Sequence, residues 1–291
     1  MGKQPTSAGT EDELGHYECE ATTYFACQAD QRFGYYLYVP RNFAFDRAAQ
    51  YDLCVVVHGT GRTPAVYRDL FAPFAERNNS IVVAPMFPAG IDEPRELAAY
   101  KFLERGGLRY DELLLAMIDE IAARYRLPER RFLAFGFSGG AHFVHRFAYV
   151  HPERLLGLSI GAPGMVTLLD PERGWWRGIR DLRQRFGKDF DLDALRRVPV
   201  QMIVGENDTE TWEITIQPGS RFWMEGANDA GRTRIDRLRS LKQSFEEHGI
   251  SVRLDIVEGI GHEGYKVVDT AAEFFASVLD DVRGGGREVQ V

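Results

Sequence analysis

Six short β-rich runs constrain the fold of this chain: LCVVV at 53–57, IVVA at 81–84, FLAFGF at 132–137, LLGLSI at 155–160, VQMIV at 200–204 and VRLDIV at 252–257. Several are apolar throughout, the pattern of strands covered on both faces. Helical stripes lie between them. Leu114, Met117, Ile118 and Ile121 recur at i, i+3, i+4 and i+7, and Pro128 closes that segment. Ile235, Leu238, Leu241 and Phe245 form a second stripe with Gly249 as its C-terminal cap, and residues 267–282 form a last one. Strands alternating with helices predict a mainly parallel central sheet with helices on both faces, an α/β class. Residues 16–40 carry two or three short alternating stretches, read as antiparallel strands at one edge of the sheet.

The 291 residues are read as one domain over 1–291. Two connections are too long for simple loops: a lid- or cap-like insertion at 161–198 and a second insertion at 209–233. Both are rich in large aromatics, Trp175, Trp176, Phe186, Phe190, Trp212, Phe222 and Trp223 among them. Either each insertion packs a small core of its own, or some of these rings line an acyl pocket, with Trp175, Trp176 and Trp212 as candidates. The GGGREVQV tail at 284–291 reads as a loose terminus.

Charge and cysteines exclude several classes. Thirty-five basic against 43 acidic residues give a net charge of −8 with no basic run, so no nucleic-acid partner is expected. No stretch approaches the roughly 18 apolar residues of a membrane span, and the N-terminus has no apolar run of signal-peptide length. A cytoplasmic protein is the expectation. Cys54 sits in a strand pattern as a small buried hydrophobe. Cys19 and Cys27 could face each other on neighbouring strands, although three cysteines make no disulfide framework. No Cys/His spacing resembles a zinc site, and no metal is expected.

The chemistry centres on Gly136-Phe137-Ser138-Gly139-Gly140, a G-x-S-x-G sequence with an apolar strand running into it and a helical stretch, AHFVHRFAYV, leaving it. A bend that sharp needs small neighbours, and it pushes the serine hydroxyl to the start of a helix, where free N–H groups favour negative charge. A serine is a weak nucleophile without a base. For a nucleophile at such a bend, the acid and then the histidine follow in the chain. Only His248 and His262 lie well beyond Ser138. His248 ends an amphipathic helix and reads as a solvated C-terminal residue, whereas His262 sits in GIGHEG directly after a strand. Asp208, in GENDT after VQMIV, is the candidate acid, with Glu206 and Glu210 as competitors. The oxyanion needs N–H donors: Gly139 is one candidate, and in the His58-Gly59-Thr60-Gly61-Arg62 loop Thr60 is the next, followed by Gly61. His58 is then a loop-shaping residue. His142 and His145 lie one turn apart after Ser138. Packing accounts for them better than a metal lacking a third ligand, and His142 could still border the substrate pocket.

The motifs HGTG (58–61), GFSGG (136–140), GENDT (205–209) and GIGHEG (259–264) stand in the order found in the α/β-hydrolase superfamily, which the chain resembles over roughly residues 50–282. GFSGGAHFVHRFAYVHPERL (136–155) with the HGTGR loop is similar to esterase-like proteins grouped near poly(3-hydroxybutyrate) depolymerases. The resemblance implies the α/β-hydrolase fold, a Ser138–Asp208–His262 triad, an oxyanion hole from Gly139 and Thr60, and no cofactor. Secreted polymer depolymerases usually carry an export signal, disulfides and a surface-binding domain. None is visible here, which favours small or medium apolar or aromatic esters as substrates. The alternatives on the same triad are an amidase or peptidase, a thioesterase, or a lyase. A catalytically silent ligand-binding relative is a further one. The partner expected is a small-molecule ester, with the oligomeric state open.

Overall fold

The computed structural model describes residues 14–285. Its strands are β1 (Glu20–Ala21), β2 (Phe25–Ala26), β3 (Gly34–Val39), β4 (Asp52–Val57), β5 (Ser80–Met86), β6 (Glu104–Arg105), β7 (Leu108–Arg109), β8 (Phe132–Phe137), β9 (Leu155–Gly161), β10 (Val200–Gly205) and β11 (Val252–Val257). Its helices are α1 (Pro64–Asn78), α2 (Tyr110–Arg124), α3 (Gly139–Val150), α4 (Leu182–Phe186), α5 (Leu192–Arg196), α6 (Arg234–Glu247) and α7 (Val268–Gly285).

One sheet runs β1-β3-β5-β4-β8-β9-β10-β11, with β2 also paired to β3, and β6–β7 is a separate hairpin. Pairing is antiparallel from β1 to β5 and parallel from there to β11. The strand rule accounts for the division. β4, β8, β9 and β10 are apolar and almost wholly buried, whereas the edge strand β11 is half-exposed and carries Arg253 and Asp255. On one face α1 and α7 pack on each other and on the sheet. On the other, α3 covers β8 and β9, its Tyr149 meets Phe245 of α6, and its Phe143 and the Tyr110 of α2 both contact Phe87. No helix of the described residues is long and apolar enough to cross a membrane.

The order of strands fixes where a site can form. The chain passes from β4 to β5 on one side and then to β8 on the other. Such a reversal opens a crevice at the carboxyl ends of the two strands. Here those ends lead into His58-Gly59-Thr60 and into Ser138, because Val57 pairs with Gly136.

The structure bears on three further points of the sequence reading. All three cysteines are free, and the Cys27 thiol lies 3.4 Å from Glu120 Oε1 instead of bonding Cys19. Gly284 and Gly285, read as the start of the loose tail, belong to α7, and 286–291 lie outside the described residues. The insertions are not detached caps, because Trp175, Trp176, Leu195, Ile216 and Ala227 all join one continuous core.

A buried arginine fastens the insertions together. Arg237 of α6 donates through Nη1 to the carbonyl of Gly164 and to that of Ile214 at 2.9 Å. It also donates through Nε to the Gly231 carbonyl at 3.0 Å and through Nη2 to Asn228 Oδ1 at 3.1 Å. Truncation would strand several buried acceptors at about 1–3 kcal/mol each. Arg237→Ala should therefore lower stability by about 3–5 kcal/mol, roughly 10 °C in a thermal melt of a domain this size. A melt unchanged within a degree or two would contradict that role.

Candidate active site

Ser138 caps the N-terminus of α3 with φ 54° and ψ −115°, a left-handed backbone that a serine adopts only when its surroundings impose it. Two close approaches impose it here. A side chain on Gly136 would collide with the backbone of Gly140, and one on Gly140 would collide with the Val57 carbonyl. The Ser138 N–H is tied to the Gly161 carbonyl at 2.8 Å, and its carbonyl accepts the N–H of His142 at 3.2 Å. The hydroxyl is left partly exposed at the tip of the bend.

Asp208 and His262 come from the next loops along the sheet edge. Gly205 pairs with Val257, which sets the acid loop beside the histidine loop. Glu206 N–H bonds the Val257 carbonyl at 2.9 Å and Asn207 N–H bonds the Ile260 carbonyl at 2.8 Å. His262 Nδ1 then lies 2.6 Å from Asp208 Oδ2. The carboxylate is fully buried and the imidazole is about one-quarter exposed. Glu206 accepts from Gly259 N–H at 3.1 Å, and Glu210 is exposed, so neither competitor reaches the imidazole. His248 closes α6, its Nδ1 2.8 Å from the Ser244 carbonyl.

Ser138 and the His262 imidazole face a common space. Ser138, His262, Thr60, Gly59, Gly61, Tyr67 and Tyr265 line a cavity of about 480 Å³. A second cavity, of about 340 Å³, opens on the other side of Ser138 between Gly139, Lys101, His142, Met165, Ile214, Ile216, Phe222 and Arg234. Thr60, Ser138 and Glu213 line both. Ser138 and His262 make no hydrogen bond to each other, a spacing common in unliganded hydrolases that tightens around substrate.

The loop after β4 is held from several directions. His58 Nε2 accepts Phe87 N–H at 3.1 Å, so its proton rests on Nδ1 and donates to the Gly59 carbonyl at 2.8 Å. Burial lowers its pKa to about 4, keeping it neutral and structural. Arg62 donates to the carbonyls of Thr60 at 2.8 Å, Phe87 at 3.0 Å and Leu97 at 2.9 Å. The Thr60 amide nitrogen ends 3.0 Å from where a side chain on Gly139 would begin, so the loop after β4 packs closely on the Gly139 backbone.

His142 and His145 both serve the first insertion. His142 Nε2 accepts Met165 N–H at 2.9 Å, and His145 Nε2 accepts Thr167 N–H at 3.1 Å. Burial holds both rings neutral, and the Nδ1 of His142 has no partner. His142 borders the smaller cavity.

The tryptophan candidates lie elsewhere. Trp175 and Trp176 are buried, their indole N–H groups given to the carbonyls of Phe102 at 3.2 Å and Phe222 at 3.3 Å, and neither lines the Ser138 cavities. Trp212 is 77% exposed and lines neither cavity. Of the insertion aromatics, Phe222 does line the smaller one. Burying two indoles in the insertion's own core satisfies their polar N–H at no cost to the site.

Sequence reasoning missed two charged residues, Arg234 and Lys101. Arg234, the first residue of α6, donates to Asp208 Oδ1 at 3.2 Å and to Glu213 Oε2 at 2.5 Å. Its side chain is buried, so the acid of the pair is held between an imidazole and a guanidinium. Lys101 lies in a short 3-10 segment and donates to Thr60 Oγ1 at 2.7 Å. Nothing in the amphipathic pattern of α6 or in the aperiodic stretch around residue 101 marks either as part of a site.

No protein-family profile and no curated protein sequence matches the chain. Solved structures do. Poly(aspartic acid) hydrolase-1 from Sphingomonas sp. KT-1 is similar with a TM-score of 0.71 at 20% identity, over 87% of this chain and 97% of that one. A poly(3-hydroxybutyrate) depolymerase from Bordetella parapertussis gives 0.67 at 24% identity, over 84% of each chain. A ferulic acid esterase gives 0.61 at 14% identity, over 88% of this chain and 97% of that one. The chain has the α/β-hydrolase fold.

Proposed function

We propose that this α/β-hydrolase-fold chain is a serine hydrolase of carboxylic esters, with Ser138 as nucleophile, His262 as base and Asp208 as the residue that orients it. The observation that carries the reading is the buried Asp208 carboxylate 2.6 Å from His262 Nδ1, its imidazole facing a cavity shared with a serine on a strained strand–helix bend. In the first step Ser138 Oγ bonds to the ester carbonyl carbon while His262 Nε2 takes its proton. The resulting oxyanion is received by the N–H groups of Gly139 and Thr60. The C–O bond to the alcohol then breaks, and His262 returns the proton to the leaving oxygen. Water, deprotonated by the same imidazole, releases the acid from the acyl-serine.

The two cavities divide the substrate. His262 must reach the leaving oxygen, so the alcohol occupies the larger cavity beside it and the acyl group occupies the smaller one. Met165, Ile214, Ile216 and Phe222 give that smaller cavity an apolar part beside its charged and polar residues, suited to a short aliphatic or single-ring acyl group. The names of two structural neighbours, a depolymerase of poly(3-hydroxybutyrate) and a ferulic acid esterase, lean toward the same chemistry.

The test is covalent trapping. A fluorophosphonate should add one phosphonyl group to the peptide that contains Ser138 and to no other. Retained labelling in Ser138→Ala would refute the assignment. A matched panel of p-nitrophenyl esters, thioesters and anilides then decides the bond cleaved: the ester reading requires the esters to lead in kcat/KM.

A further inference from the structure

Among the described residues, Lys101 forms no ion pair with a carboxylate, and it lines the same cavity as Ser138. It is half-buried in the smaller cavity, and its one side-chain hydrogen bond is to Thr60 Oγ1 at 2.7 Å. A side chain on Gly139 would start against the Tyr100 hydroxyl, 2.9 Å from Lys101 Cε and 3.0 Å from Thr60 N, so the ammonium stem and the Thr60 amide both pack against the Gly139 backbone. The lysine is itself held in place: its carbonyl accepts Nη1 of Arg146, the fully buried arginine of α3, at 2.5 Å, and the Arg146 guanidinium stacks over Phe102 at 4.7 Å. A folded chain does not commonly desolvate an ammonium without an ion pair. Doing so next to the point where an oxyanion would form points to a charge requirement that arises during the reaction.

We propose that Lys101 is a positioning residue of the oxyanion site: its ammonium fixes the Thr60 loop through Oγ1 and sets a positive charge next to the developing oxyanion. The proposal rests on the Ser138 reading above. In the ground state the charge does little, because an ester carbonyl is neutral. In the tetrahedral state it faces a full negative charge in a partly dry cleft, so it acts on kcat more than on KM.

The charged and titratable groups around Lys101 include Arg62 and the neutral His58 on the loop after β4, Arg146 and the neutral His142 on α3, Arg234 on α6, Glu96 before the 3-10 segment, Tyr100 within it and Glu213 on the second insertion. Burial comes first among the causes that lower the Lys101 pKa, to about 8, and Arg62 follows. The ammonium form is therefore complete below that value and is lost as pH rises through it. Wild-type kcat should fall along an alkaline limb centred near pH 8.

The experiment measures kcat and KM from pH 6 to 10 on a p-nitrophenyl ester, for the wild type, Lys101→Met and Lys101→Arg. Lys101→Met should lose about 10²-fold in kcat at pH 7, with KM changed less than threefold and no alkaline limb near 8. Its melting temperature should hold or rise, since a buried charge has been removed. Lys101→Arg should recover activity at neutral pH and keep it past pH 9, because a guanidinium stays charged there. Wild-type kcat and an unmoved limb in Lys101→Met would overturn the proposal, as would a loss explained by a lowered melting temperature and not rescued by arginine. The Ser138 reading is tested separately in the same series: if Ser138→Ala stays active, that reading fails, whereas an inactive Ser138→Ala beside a fully active Lys101→Met condemns only the role of Lys101.

Discussion

Ser138→Ala should lose 10⁴- to 10⁶-fold in kcat, on the order of what removing the nucleophile costs serine hydrolases that keep their oxyanion donors. The size follows from the geometry. Gly139 and Thr60 amides remain in the variant, so substrate would still be polarised, but no atom is left to form the acyl intermediate. The loss should appear without unfolding, because the Ser138 hydroxyl lies at the tip of the bend and makes no cap hydrogen bond to α3. A second variant separates chemistry from strain. At φ 54° and ψ −115° any side chain is disfavoured, so Ser138→Gly should be equally inactive yet about 1 kcal/mol more stable than Ser138→Ala. Kinetics with paired thermal melts checks both halves. Activity within a hundredfold of wild type in Ser138→Ala would remove the serine from the mechanism, and equal melts for the two variants would show that the bend carries little strain.

Asp208→Asn should be the next largest effect, about 10⁴-fold in kcat/KM. The carboxylate accepts Nδ1–H of His262, which in the proposed mechanism leaves Nε2 free to take the proton of Ser138. An amide in the same place can offer its own N–H to Nδ1, which moves the imidazole proton to Nε2 and disables the base. Stability should fall too. Asp208 is wholly buried and shares Arg234 with Glu213, and Glu213 is about half-exposed. Neutralising Asp208 leaves the buried guanidinium with one carboxylate, at a cost of about 2 kcal/mol in denaturant melts. Glu206→Gln serves as the contrast. That side chain only accepts Gly259 N–H, so its activity should stay within a few fold of wild type. If the two variants behaved alike, the acid would have to be sought elsewhere on the loop.

These expectations draw on residues that were unequally legible in the sequence. The strands were the easy part. FLAFGF and VRLDIV coincide with β8 and β11, and the other four runs lie inside their strands: burial on both faces writes the inner strands as apolar runs, while β11, at the edge, is marked by its β-branched residues. The helix stripe at 114–121 falls within α2 and the one at 235–245 within α6. The helix α1 was harder to read, since Pro73 stands inside it and its apolar face is weak. Ser138, Asp208 and His262 could be singled out because each follows a strand, and a parallel sheet delivers the ends of its strands to one edge.

The failures share a cause. Trp175 and Trp176 differ from Phe222 in which way their rings point, and neither composition nor spacing encodes a direction inside an irregular insertion. Arg234 and Lys101 reach the site through long side chains from positions 26 and 37 residues away from Asp208 and Ser138, and no local pattern reports such tertiary reach.

The hydrogen bonds of Arg237 bear on how molecules get in and out. Ile214, whose carbonyl this arginine holds, forms part of the wall over the smaller cavity, and Gly164, held by the same guanidinium, forms another part. A wall riveted to α6 at both points cannot lift away as a hinged door without first breaking bonds worth several kcal/mol in the protein interior. Admission is left to rotations of individual side chains at a fixed mouth. If the proposed acyl group sits there, selectivity follows the calibre of that opening, and a bulky acyl chain should be turned away at the threshold.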